Sequence, residues 1–255
     1  MKEFYTDKLC VKVMPTREEM GKVAAKDIYS KIKEILSVKD EINMIFAAAP
    51  SQNDVLASLI TYEDIEWQKI NAYHMDEYIG LAEKDKDKSF GTYLTEHIFG
   101  KVPFKTINLI DATATDAEAE CERYSKLLTE NPADIVVMGI GENGHIAFND
   151  PWVAEFEDTK VVKVVPLDEV CRQQQVNDGC FPAIDDVPKY AMTLTCPTLA
   201  NTQYKFCVVP AKTKANAVKR TLTGEVSEEC PATILRKVKG ATLYLDGDSS
   251  SLIEL

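Results

Sequence analysis

The chain has 255 residues, 45% of them hydrophobic, and a formal charge of −12. That length can bury a sizeable core in one large α/β domain, and the acidic excess argues against a nucleic-acid partner, which is gripped by clustered cations. No run of about 18 apolar residues marks a membrane span, "MKEFYTDKLC" lacks the apolar core of a secretory signal, and seven cysteines without CxxC spacing read as reduced, so a cytoplasmic chain is expected.

Thr16 with Glu19 three residues on has the form of a capping box, and Met20, Val23, Ala24, Ile28, Ile32 and Ile35 follow at helical spacing. "INMIFAAAP" (42–50) is a continuous apolar run suited to a strand buried on both faces. Ser51 then offers an N-cap for "SQNDVLASLI". A second strand is expected near 69–73, a helix over 89–100 ended by Gly100, and a strand over 106–111. Thr115 and Glu118 predict the start of a helix containing Ala117, Cys121, Tyr124 and Leu128. "DIVVMGIG" (134–141) is the clearest buried strand; 161–167, 190–195 and 204–210 are also strand-like. A helix over 213–222 and a last strand over 241–246 complete the pattern, with "DGDSSS" (246–251) as a polar loop.

Strands alternating with helices predict an α/β fold: a mostly parallel, Rossmann-like sheet with helices on both faces and right-handed crossovers. No repeat, low-complexity tract or linker divides the chain, so a single domain over 1–255 is expected. In such sheets ligands bind beyond the carboxyl ends of the strands. That directs attention to the loops after Ala49, Tyr73, Gly139 and Val209.

The loop "GIGENGHIAFNDP" (139–151) places one of only three histidines beside Gly144. Glycines let the backbone turn sharply and approach a ligand. An imidazole at the sheet's carboxyl edge, with an ordinary pKa near ~6.5, suits proton transfer near neutrality. Asp150 can orient it, and Asn143 can hydrogen-bond but cannot carry a proton. Gly-x-Gly followed by a tight turn and a surface histidine would look the same. A dinucleotide fingerprint fits less well, because Pro151 follows too soon for a crossover helix.

This loop resembles the signature of the glucosamine-6-phosphate deaminase family, Gly-x-Gly-x-Asp/Asn-Gly-His-x-Ala/Gly-Phe-Asn-Glu-Pro. "HMDEYIGL" (74–81) is similar to that family's second signature, and "VPKYAMTLT" (187–195) and the Lys-Ala step at 214–215 also resemble it. The similarity extends over most of the chain. It implies conversion of a hexosamine 6-phosphate to a ketose phosphate and ammonia, by ring opening, C2-to-C1 proton transfer and imine hydrolysis, with no metal or redox cofactor. It implies Asp76 as the base between C2 and C1, His145 as the ring-opening proton shuttle, and Asp150 as its partner, with Asn143 beside them and Gly141 and Gly144 shaping the loop. Glu77 is expected as a supporting acid and His74 as structural. For the phosphate the resemblance implies Arg172 and Lys214, and Ser51 and Gln52 could add a hydroxyl, an amide and N–H groups at a helix start. The partner is then a sugar phosphate, and a homo-oligomer is compatible with such enzymes.

The departures set further expectations. Asn143 replaces the Asp of some relatives. Asp150 replaces Glu, and the shorter carboxylate is expected to loosen its contact with His145 or pass it through water. Trp152 stands where relatives have small residues, either reshaping the pocket or filling the core. "FAAAPSQNDVL" (46–56) lacks the family's Gly- and Thr-rich phosphate loop, and "RQQQ" (172–175) replaces Arg-x-Ala-Asn. Two other functions compete. A 6-phosphogluconolactonase-type hydrolase shares the Gly-His loop, but its loop continues Ala-Ser-Leu-Phe and it lacks "MDEY". A non-catalytic sugar-phosphate sensor would need no proton relay.

Overall fold

The computed structural model describes residues 1–81 and 83–254. The chain opens with a hairpin of β1 (Lys2–Thr6) and β2 (Leu9–Val13), turned through Asp7 at φ +53°. Sequence pattern gives little sign of it, because β1 is an edge strand with mostly exposed side chains. Thr16 accepts a hydrogen bond from the Glu19 N–H and so caps α1 (Arg17–Leu36). The expected strand after it is shorter than its apolar run: β3 is Ile42–Phe46, and the alanines that follow form a loop.

Ser51 does not cap the next helix. Pro50, with its fixed φ, opens a single 3-10 turn (Pro50–Gln52) that runs directly into α2 (Asn53–Leu59). Then come β4 (Ile70–His74), β5 (Asp76–Ile79) and α3 (Phe90–Leu94). Ser89 caps α3, which continues as a π-helical turn to Gly100. β6 (Thr106–Asn108) precedes α4 (Ala117–Glu130), whose cap is Asp116 rather than Thr115, because its carboxylate is the group that reaches the Ala119 N–H. β7 (Ile135–Met138), β8 (Val162–Pro166), α5 (Glu169–Asn177), β9 (Tyr190–Leu194), α6 (Cys196–Ala200), β10 (Tyr204–Val209), α7 (Ala215–Thr223) and β11 (Ala241–Leu245) complete the order.

Eight strands form one sheet in the order β1-β2-β11-β10-β7-β3-β4-β6, parallel except for β1. Alternate residues feed its two faces. Met44, Phe46, Ile135, Val137, Phe206 and Val208 pack with α1 and α2, whereas Ile45, Val136, Met138, Cys207 and Val209 pack with α4 and α7. This is the expected α/β fold with helices on both faces of a mostly parallel sheet. The strands at 162–166 and 190–194 depart from it. Instead of joining the large sheet, they form a separate three-stranded antiparallel sheet with β5, in which β9 lies between β5 and β8. No helix among the described residues is long and apolar enough to cross a membrane.

β3 and β7 are neighbours, yet the chain leaving β3 goes to β4 on one side, while the chain leaving β7 passes through β8 and β9 of the small sheet and re-enters the large one at β10 on the other. The diverging connections leave a crevice beyond their carboxyl ends. The exit of β4 is pinned beside it. The buried Tyr124 hydroxyl accepts from the His74 N–H at 3.1 Å, and its proton is shared between the carbonyl oxygens of His74 and Asn108, each 3.0 Å away. Tyr124→Phe strands these buried backbone groups. It is expected to lower unfolding free energy by about 1–3 kcal/mol, read from the midpoint of urea denaturation.

Candidate active site

The loops after β3, β4, β7 and β10 line one cavity at the crevice, with Asp76, His145 and Lys214 on its wall. Asp76 is placed there by a change of sheet. The chain leaves the large sheet at His74, and Met75 accepts through its carbonyl oxygen from the Leu194 N–H at 2.8 Å. Asp76 then starts β5 opposite Thr193 of β9. Its carboxylate is buried and has no hydrogen-bond partner among the described residues. Burial, helped by the neighbouring Glu77 charge, raises its pKa well above the usual carboxylate range.

Glu77 takes the other face of the strand. Its carboxylate accepts from the N–H groups of Tyr78 (2.9 Å), Phe90 (3.1 Å) and Gly91 (2.9 Å). Burial pushes its pKa up to about 7 in spite of these donors. Glu77 thus ties the start of α3 to β5 and sets the charge behind Asp76. His74 is structural, as expected. Its Nε2 accepts from the Ile110 N–H at 2.7 Å, and complete burial depresses its pKa to about 3, so the ring stays neutral.

The Gly-His loop is folded around the imidazole. Gly141 N–H donates to the His145 carbonyl oxygen at 2.9 Å, and Gly144 N–H to that of Gly141 at 3.0 Å. A Cβ on Gly141 would lie 2.1–2.4 Å from His145 ring atoms, so a side chain there and the ring cannot coexist. Gly144 has φ +95°, and a Cβ on it would stand 2.6 Å from Cys230 Sγ.

Asn143 braces the loop. Its Oδ1 accepts from the His145 N–H at 3.0 Å, and its Nδ2 donates to Asp150 Oδ1 at 2.8 Å. That same Oδ1 lies 3.0 Å from His145 Nδ1, off the line of a well-formed hydrogen bond but well within ion-pair distance. The shorter side chain therefore still reaches the ring directly, but without the alignment of a full hydrogen bond, which is the loosening expected of it. Burial alone would raise the Asp150 carboxyl, but His145 and Asn143 together bring it below its ordinary value. With Nδ1 turned to Asp150, Nε2 is the nitrogen left for a ligand. The loop is bolted to the small sheet, since Phe148 N–H donates to Thr193 Oγ1 and Asn149 Nδ2 to the Leu194 carbonyl oxygen.

The expected anion ligands divide. Ser51 and Gln52 line the cavity, but the Gln52 amide hydrogens are spent on Ser51 Oγ (3.0 Å) and the Val208 carbonyl oxygen (3.1 Å). Its buried Oε1 is left as an acceptor without a partner, so it is suited to a hydroxyl rather than a phosphate. Lys214 is buried on the cavity wall with no hydrogen bond or ion pair among the described residues. Burial lowers its pKa, while Asp178 and Glu142 pull the other way.

Arg172 does not point into the cavity. Its Nη2 donates to the carbonyl oxygens of Ile184 (2.5 Å) and Val187 (3.2 Å), so the guanidinium ties α5 to the loop before β9. The arginine on the wall is Arg17, unremarked in the sequence. It is placed by its Nε on Asp54 Oδ2 (2.6 Å) and its Nη2 on the Pro50 carbonyl oxygen (2.5 Å). Only the long-range pairing with Asp54 could have marked it. Gln174 and Gln175 of "RQQQ" also line the cavity. Trp152 does neither thing expected of it; it is 55% exposed.

Gly141→Ala should leave the fold intact and displace the imidazole. A misplacement on the scale of an ångström costs roughly 100-fold in turnover, to be read as kcat/KM beside an unchanged circular dichroism spectrum.

Comparison with known proteins matches residues 15–244 to the family described as glucosamine-6-phosphate isomerases/6-phosphogluconolactonase. A glucosamine-6-phosphate deaminase of Listeria monocytogenes serotype 4a (strain HCC23) is 35% identical over 213 residues, 84% of this chain and 88% of that one. One of Bacillus cereus (strain G9842) is 33% identical over 240 residues, 94% and 87% of the two chains. Among solved structures, a monomeric glucosamine-6-phosphate deaminase superposes with TM-score 0.86 at 32% identity, covering 95% of this chain and 99% of its own. A 6-phosphogluconolactonase from Thermotoga maritima shares the fold, with TM-score 0.72 at 20% identity over 92% and 98%.

Proposed function

The chain belongs to the family of glucosamine-6-phosphate isomerases and 6-phosphogluconolactonases, and on that footing we propose that it is a deaminating isomerase that converts glucosamine 6-phosphate to fructose 6-phosphate and ammonia. The observation that carries this reading is the convergence of an unpaired buried carboxylate and an oriented imidazole on one cavity. The named deaminases at 33–35% identity support the same activity.

His145 Nε2 takes the proton of the anomeric hydroxyl and returns one to the ring oxygen, opening the pyranose. Asp150 holds the ring by its other nitrogen and steadies the cation formed in transit. Asp76 removes the C2 proton from the open aldehyde and delivers it to C1. An elevated pKa makes this carboxylate a stronger base toward the C2 proton, and the carboxylic acid so formed is still far more acidic than the C–H bond it makes at C1. As C1 becomes a CH2 group the aldehyde oxygen takes a proton and the amine nitrogen gives one up, so the product is an imine at C2 beside a C1 hydroxyl; water then adds to C2 and ammonia leaves. Lys214, and Arg17 in place of Arg172, are the cations available to the phosphate.

The lactonase alternative would use the imidazole but has no task for a carboxylate that shuttles a C–H proton. A pure sensor would gain nothing from leaving Asp76 buried and without a partner.

The wild-type protein is expected to release ammonia from glucosamine 6-phosphate, followed by a coupled ammonia assay. Asp76→Asn should abolish release while sugar-phosphate binding, followed by calorimetry, survives. No ammonia from glucosamine, galactosamine or mannosamine 6-phosphate across neutral pH would end this reading.

The pH profile offers a second check. Asp76 works as a base only when ionised, so kcat/KM rises with pH through its elevated pKa. The acidic limb should therefore lie above the ordinary aspartate value of about 3.9. Glu77→Gln removes the charge that disfavours ionisation of Asp76 and is expected to move that limb to lower pH with much of the plateau retained. A limb that does not move would sever the link between the two carboxylates.

A further inference from the structure

Proton transfer accounts for His145 and Asp150 but gives no role to the thiol that completes their cluster. One donor atom each from His145, Asp150 and Cys171 lie within 4.8 Å of one another, the only such group of three among the described residues. All three side chains are buried. Two of their polar atoms lack a hydrogen bond: His145 Nδ1, which only faces Asp150 across 3.0 Å, and Asp150 Oδ2. Buried polar atoms are rarely left unsatisfied, and two of them within one three-residue cluster mark a place for something that can bind both. Cys171 comes from the first turn of α5, where its N–H is fixed by Asp168 Oδ1 at 2.6 Å, so its position does not depend on the Gly-His loop.

An imidazole nitrogen, a carboxylate oxygen and a sulfur form a donor set for a borderline-soft divalent cation rather than for magnesium or calcium. Zinc binds such donors at about 2.0–2.3 Å and usually takes four. With three protein donors, a fourth place is left to a water molecule.

We propose that His145, Asp150 and Cys171 constitute an inhibitory site for zinc or a similarly thiophilic divalent cation. On binding, the Cys171 thiol gives its proton to water while the carboxylate and the neutral imidazole donate lone pairs, so one proton is released per ion. The ion holds the imidazole and its carboxylate together and removes both from the ring-opening step. Inhibition rests on the proposed proton relay; metal binding itself does not.

The test uses the full-length protein freed of metal by a chelator. Zinc chloride is titrated while ammonia release is followed. Separately, cobalt(II) is titrated while the thiolate-to-cobalt charge-transfer band is recorded. We expect loss of activity at one zinc per chain, recovery with EDTA, and a cobalt–thiolate band that saturates at one ion per chain. Cys171→Ala should keep its basal activity, lose the band, and need about 10-fold or more zinc for the same inhibition. The absence of a cobalt–thiolate band in the wild type would overturn the site whether or not the chain deaminates sugars. So would a band, or a zinc sensitivity, that survives in Cys171→Ala. If that variant does not fold, the wild-type cobalt titration still decides.

Discussion

Two neighbouring strands that send their chains in opposite directions create the space in which everything else happens. Because β3 leads toward β4 and β7 toward β10, no connection covers the sheet edge between them. The loops on either side meet across the gap, where Gly139 faces Ser51 and Gln52. A parallel sheet buried on both faces is rigid, and a site built on its carboxyl ends inherits that rigidity.

The second sheet turns the crevice into a site. Asp76 and His145 belong to separate crossovers with no need to stay in register. Thr193 supplies it, lying opposite Asp76 in the β5–β9 ladder while its hydroxyl receives the Phe148 N–H from the Gly-His loop. One residue thus fixes the carboxylate and the imidazole relative to each other. The exchange of a longer acid for Asp150 is absorbed in the same spirit. Asn143 takes one oxygen of the shorter carboxylate and the His145 N–H together, holding the acid against the ring.

Much of this was legible in the sequence. Buried parallel strands read as continuous apolar runs, so β3, β7 and β10 stand out, and the two signature loops carry their chemistry in residue type alone. Pairing partners were not legible. The stretches 161–167 and 190–195 look like any strands, and nothing local says that they join Asp76–Ile79 instead of the large sheet. Side-chain direction was hidden too. Arg172 sits at a matching position yet spends its guanidinium on backbone carbonyls, whereas Arg17, more than thirty residues from Asp54 in sequence, is drawn to the cavity by it. At 50–52 the cap residue drew attention, but the proline before it decided where the turn began.

The backbone at Ala211 has φ +80° and ψ 148°, a region that alanine rarely occupies. Its N–H is held by both oxygens of the Asp246 carboxylate, at 3.3 and 3.1 Å. Asp246 in turn accepts from the Ser249 N–H at 2.7 Å. Lys214 hangs from this turn, its N–H on the Ala211 carbonyl oxygen at 3.1 Å. The cation on the cavity wall thus hangs from a turn that is clamped by an acid just beyond β11. The cationic corner of the cavity therefore depends on the segment after β11, whereas Asp76 and the Gly-His loop are tied to Thr193 of the small sheet.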